Sequence, residues 1–181
     1  MAEQTFTSGQ VLTAAQMGTL QTDIGLNFIS TTTFTSASSF NVAGCFTTAY
    51  SNYRVLLTAT AAGGGPAEVK LNLMVGTTPN TTLAYFNART DLTYTGSVAD
   101  AGATSTDHWF PFRSNGSIFA GAIDIYNPQV AALTFYNGVN NDTSLMGACG
   151  GMFNATTQFD GFHISGMTTA TGTCYVYGYR K

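Results

Sequence analysis

The 181-residue chain carries six Lys and Arg against nine Asp and Glu, so 8% of its side chains are charged and its formal net charge is −3. Ordinary globular proteins are about 25% charged, so solubility here must rest on Thr, Ser, Asn and Gly, as it does on exposed β surface or on surface covered in an assembly. The basic residues Arg54, Lys70, Arg89, Arg113, Arg180 and Lys181 are scattered, and only the last two adjoin. That excludes the basic stripe a nucleic acid or an anionic lipid surface would need. No apolar run reaches the roughly 18 residues of a membrane-spanning helix. The opening MAEQTFTSGQ has neither the positive charge nor the apolar core of a signal peptide. Hydrophobic residues at 44% and aromatics at 13% suffice for one core without staples.

Residues 1–30 read differently from the rest. Thr13 and Gln16 match the N-cap and N3 positions of a capping box, with Leu12 and Met17 placed as a hydrophobic staple. Met17, Leu20 and Ile24 then recur at helical spacing, and Gly25 can terminate the helix. The spacing predicts a short helix over Ala14 to Ile24, marginal alone in water. It packs either on its own domain or on a partner.

From Thr31 to Ser39 the chain is polar and β-capable, an extended lead into the first strand. In the run 40–60, Tyr53, Val55, Leu57 and Ala59 alternate with Arg54, Thr58 and Thr60, the pattern of a half-buried strand, and Ser51-Asn52 supplies turn chemistry. Gly63, Gly64, Gly65 and Pro66 mark a loop; without a following Lys and helix it is no phosphate cradle. Val69, Leu71, Leu73 and Val75 predict a strand with one wet face. A strand around Tyr85 follows, then a long loop over 95–107, then a short edge strand limited by Pro111. Ile118 to Tyr126 reads as a strand with Phe119, Ile123 and Ile125 on one face, paired in a hairpin with Ala131 to Tyr136. The run 137–144, NGVNNDTS, reads as a turn. Leu145 to Phe153 is a Gly-rich strand into which neighbours must approach closely. Phe162 and Ile164 sit in the next strand. In the last strand Tyr175, Tyr177 and Tyr179 share one face, and Cys174, Val176 and Gly178 the other. Eight to ten strands with a single helical pattern predict an all-β, jelly-roll-like antiparallel sandwich over 31–181, preceded by an N-terminal arm with a short helix over 1–30.

Three stretches carry a resemblance. The run 46–53, FTTAYSNY, leads into RVLL; the run 6–17 reads FTSGQVLTAAQM; the run 176–180 reads VYGYR. Together and in this order they resemble small structural proteins of tailed-bacteriophage virions, with a departure at Gly18, where such proteins more usually carry Asn. The resemblance implies a virion component that is not an enzyme and needs no cofactor, of the tail, fibre or head-decoration type. It implies anchoring by the arm through Phe6, Leu12, Met17, Leu20 and Ile24, a homotrimer, and contacts with other virion proteins.

The remaining candidates are few. Trp109, flanked by His108, Phe110 and Phe112, either plugs the end of the sandwich, or lies in a subunit contact, or stacks on a sugar ring of a host-surface glycan. On an alternating strand Phe110 and Phe112 point together and Trp109 away, so one side would stay exposed unless a neighbouring subunit covers it. His163 falls on a polar face, with Asp160 three residues earlier able to orient it. Asp100 and Asp107 could hold a calcium ion only with help from loop carbonyls. No pair of acids signals a glycosidase. Cys45, Cys149 and Cys174 read as reduced, buried and non-catalytic, with a Cys45–Cys174 bridge as the alternative.

Overall fold

Alternation of side chains turns into strand pairing along almost the whole chain. The computed structural model describes residues 9, 11, 13, 14, 25–61, 67–115 and 117–179. Among these lie thirteen strands: β1 (Leu26–Ala37), β2 (Phe40–Val42), β3 (Asn52–Ala61), β4 (Ala67–Val75), β5 (Thr78–Pro79), β6 (Tyr85–Thr93), β7 (Val98–Thr106), β8 (Trp109–Ser114), β9 (Ile118–Tyr126), β10 (Thr134–Asp142), β11 (Leu145–Phe153), β12 (Gly161–Ser165) and β13 (Ala170–Tyr179). The helix expected over 14–24 falls on residues outside the described ones, apart from Ala14.

The strands form an antiparallel, jelly-roll-like sandwich. One sheet has eight strands in the order β1-β13-β3-β9-β10-β11-β6-β7, and the other runs β2-β12-β4-β5 with β8 paired to β4. The core fills the space between them. Tyr53, Val55, Leu57 and Ala59 of β3 and Phe119, Ile123 and Ile125 of β9 are all buried, against Val69, Leu71 and Leu73 of β4 and Phe162 and Ile164 of β12. In β13, Cys174 and Val176 join that core while Tyr175, Tyr177 and Tyr179 face outward. All three cysteines are free and buried. Desolvation raises each thiol, those of Cys149 and Cys174 to about 12.

The structure corrects several expectations. The polar lead 31–39 belongs largely to β1, which pairs along β13 from Leu26 opposite Tyr179, so a boundary at residue 30 cuts a strand. The loop expected over 95–107 is mostly β7, paired in register with β6. Its Ala, Gly, Ser and Thr side chains are too small to give an alternation signal, yet the backbone ladder needs none. The turn expected over 137–144 is the second half of β10, and the chain reverses only at Thr143-Ser144. Asn140 and Asp142 there are buried, so turn-type residues occupy a strand interior. In β4 the expected wet face holds only for its first half: Glu68 is exposed and Lys70 half-buried, but Asn72 is buried, donating to the carbonyls of Asn80 and Asp107, Met74 is buried too, and Val75 at the tip is exposed.

Candidate functional site

The residues singled out in the sequence go in different directions. Phe6, Leu12, Met17, Leu20 and Ile24 lie outside the described residues. Trp109, Phe110 and Phe112 are all buried within the single chain, at 0%, 5% and 0% exposure. The expectation that one side of this strand needs a subunit or a ligand to cover it is therefore corrected. β8 is an edge strand paired only with β4, as Pro111 requires, but the wider sheet overhangs it and covers its other side. Trp109 packs edge-on against Tyr85 and tilted against Tyr136, and its indole N–H donates to the Met152 carbonyl at 3.2 Å.

The histidines are spent locally. His108 pairs with Asp107, which lowers the Asp107 pKa; His163 pairs with Asn41 and desolvation lowers its pKa. Asp160 accepts the Gly76 backbone N–H rather than orienting His163. Among the described residues no group of three or more His, Cys, Asp or Glu is placed to hold a metal ion.

Five of the chain's fifteen charged side chains gather in one cleft of about 380 Å³ where the wide sheet overhangs β4: Glu68, Arg89, Asp91, Asp100 and Arg113. The Asp91 Oδ2 accepts from Arg89 and from Arg113, each at 3.0 Å, and Arg89 also reaches Glu68 at 3.5 Å. Arg89 further donates to the Phe110 carbonyl and lies over the Phe110 ring. Glu68, Arg89, Asp91 and Arg113 thus pair with one another, while the buried Asp91 Oδ1 has no hydrogen-bond partner among the described residues.

The open chemistry lies on the outer face of the eight-stranded sheet. Register brings six residues from six strands into one row there: Arg54, Asp124, Asn137, Gly150, Ala88 and Gly102, in the order β3-β9-β10-β11-β6-β7. The first half of this row is polar. Arg54 grips the Asp124 carboxylate through Nε and Nη2, both at 2.8 Å, and the Tyr179 hydroxyl donates to Asp124 Oδ1 at 2.7 Å. Burial acts to raise the Asp124 pKa, but the hydrogen bonds from Arg54 and Tyr179 outweigh it and carry the group below its ordinary value. Burial and the same carboxylate push the Tyr179 hydroxyl up to about 12. Next to them the Tyr126 hydroxyl donates to Asn137 Oδ1 at 3.2 Å.

The second half of the row has almost no side chains. Gly150, Ala88 and Gly102 form a floor, and the neighbouring row of Tyr126, Phe135, Met152 and Phe86 forms an aromatic wall beside it. Two adjoining hollows result: one of about 370 Å³ over Gly150 and Ala88, and one of about 420 Å³ over Asp124 and Asn137. Counting five strand spacings from β3 to β7, the trough is about 24 Å long.

At one end of the same face is an apolar patch. Met146, Leu92 and Val98 are cross-strand neighbours, Val139 stands diagonal to Met146, and Ile118 lies farther along the same edge beyond Asn141; all five apolar residues are exposed. Neither trough nor patch was visible in the sequence. The nearest signal was the Gly-rich strand β11, where close approach was expected without a face to assign it to.

No known protein family matches the chain, and no curated protein does. Among solved structures it is similar to alginate lyase A1-II′, a member of polysaccharide lyase family 7, at 12% identity and a TM-score of 0.28. That match covers 78% of this chain and 66% of the lyase chain, just under two thirds of its length.

Proposed function

We propose that the chain is a structural component of a tailed-phage virion, held in the particle by its N-terminal arm and displaying the sandwich. In this reading it acts without catalysis or cofactor, as a homotrimer in contact with other virion proteins. The observation that carries it is the meeting of the sequence pieces behind the resemblance. Tyr53 of the first piece is in register with Gly178 of the last, and Leu26, the first residue of β1 after the N-terminal piece, is in register with Tyr179. Two of the pieces, far apart in sequence, thus serve one corner of the fold, beside the start of β1.

The two ends of the wide sheet suit different tasks. The chain enters β1 at the end holding Leu26, Asn52 and Tyr179. The exposed patch of Ile118, Met146, Leu92 and Val98 lies at the other, six to eight residues or about 20–27 Å away. One end is available for docking, the other for covering by a neighbouring copy.

The test is a chain lacking residues 1–24, competed against the full chain during particle assembly. It should keep a β circular-dichroism spectrum and be excluded from particles. Incorporation at the level of the full chain would overturn the reading.

A further inference from the structure

On the inner face of the wide sheet, Asn140 of β10, Gly147 of β11 and Asp91 of β6 are cross-strand neighbours. Asn140 and Asp91 are buried, at 1% and 2% exposure. A β-carbon at Gly147 would sit 2.3 Å from Asp91 Oδ1 and 2.7 Å from Asn140 Oδ1, so the two oxygens are at most the sum of these, 5.0 Å, apart. Neither oxygen has a hydrogen-bond partner among the described residues, and neither has Asn140 Nδ2. Asp142 is the next inward residue of β10, about 7 Å along the strand. Its Oδ1 is fixed by the Ser144 N–H at 2.7 Å, the Ser144 hydroxyl at 2.8 Å and the Leu145 N–H at 3.1 Å. Its buried Oδ2 has no partner among the described residues. A buried polar atom left unpaired is costly, and a buried carboxylate oxygen most of all.

We propose that this end of the sandwich binds a hard divalent cation of the calcium type through Asp91 Oδ1, Asn140 Oδ1 and Asp142 Oδ2. Two carboxylates alone would not make the site; the buried Asn140 amide, unpartnered at both atoms and with its oxygen beside Asp91 Oδ1, is the third donor. Calcium takes oxygen ligands at roughly 2.3–2.6 Å, so one ion can touch both Asp91 and Asn140 across a gap of this size. All three donors are oxygens, which disfavours metals that want nitrogen or sulfur. One water molecule offers two protons to three acceptors and leaves one of them bare. Charge points the same way. Asp91 Oδ2 already holds Arg89 and Arg113, whereas Asp142 forms no ion pair among the described residues. Glu68, Asp91, Asp100 and Asp142 stand against Arg89 and Arg113, four acids to two bases, so two negative charges remain for a divalent ion to offset. Asp91 also lines the charged cleft, which gives the ion a path from solvent and room for the waters that complete its shell. Gly147 fits the same picture, because any side chain there would displace both oxygens. The proposal concerns the isolated chain and stands or falls separately from its place in a particle.

The experiment uses the full chain, stripped with a chelator and titrated with calcium chloride by calorimetry and by thermal unfolding, with sodium chloride of equal ionic strength in parallel. Calcium should bind saturably at one ion per chain. At a hundredfold excess over its dissociation constant it should raise the unfolding midpoint by about 5 °C or more, and the sodium control should not. Asn140→Leu and Asp142→Asn, two variants so that loss of the fold in one leaves the other to decide, should each weaken calcium binding by about tenfold or more. Asp100→Asn, at an exposed acid of the cleft, should bind calcium as the unchanged chain does. The proposal is overturned if calcium up to about 10 mM, above the weakest range of such oxygen sites, gives neither saturable heat nor a shift. Asn140 would then present its amide nitrogen to Asp91 instead. It is equally overturned if a folded Asn140→Leu or Asp142→Asn binds calcium undiminished, or if Asp100→Asn abolishes binding, which would put the ion in the open cleft.

Discussion

The ring of Tyr50 lies against the backbone of Gly178, so close that a β-carbon at 178 would sit 2.4 Å from the ring. Tyr50 in turn meets Tyr53 edge-on at 6.0 Å, and the Tyr53 hydroxyl accepts the Thr47 N–H at 2.7 Å and donates to the Thr47 carbonyl at 2.6 Å. The corner before β3 is thus locked onto the last strand. Gly178→Ala should destabilise the protein by roughly 1–3 kcal/mol through overpacking. Combined with Tyr50→Ala, the total should fall well short of the sum of the single changes, because the clash goes with the ring. Chemical denaturation of the four-member cycle measures this, and strict additivity would show that the two residues do not touch.

Trp109 gives a second prediction, opposite to the one its sequence context suggests. Its side chain is fully buried between Tyr85 and Tyr136. Trp109→Ala should cost about 3–5 kcal/mol of subunit stability while leaving the mass of any assembly of the folded protein unchanged. Denaturation and sedimentation of the same sample check both halves.

The Arg54–Asp124 pair sets an acid limb. The folded protein holds the Asp124 proton less tightly than the unfolded chain does. The stabilisation is therefore complete above the ordinary carboxylate range and is lost as pH falls through the lowered folded value. Both groups are partly exposed, so Asp124→Asn should cost only about 0.5–1 kcal/mol near neutrality. It should also flatten the stability profile below that range, which urea midpoints taken across acid pH would reveal.

Thiol reactivity follows from burial. With all three thiols raised by desolvation, the native protein should react slowly with a thiol reagent and release three equivalents only on denaturation. Fewer than three in denaturant without reductant would mean a disulfide that the folded chain lacks.

How much of this was legible beforehand depends on side-chain size and on strand order. β3 and β9 announced themselves, because large apolar residues alternate there and the faces they share are the buried ones; β13 showed its alternation but not which face turns inward. β7 was hidden because Ala99, Ala101 and Ala103 carry almost no hydrophobic signal. The second half of β10 was hidden because Asn140 and Asp142 look like turn residues while standing inside the sandwich. The trough was illegible in principle. Its row joins residues 54, 124, 137, 150, 88 and 102 in an order set by sheet topology, which no local window contains. Nor does sequence separate Gly150 from Gly151: only the fold shows that a β-carbon at Gly151 would sit 2.0 Å from the Phe86 carbonyl oxygen, whereas one at Gly150 would sit 3.3 Å from that of Tyr136.

Whether the chain is a virion component is decided by electron cryomicroscopy of virus particles purified from cells that express it, with peptide mass spectrometry of the same particles. A virion role predicts the sandwich in three symmetry-related copies per site, with residues 1–24 in contact with another virion protein. Particles that assemble fully and contain no peptide of this chain would contradict it.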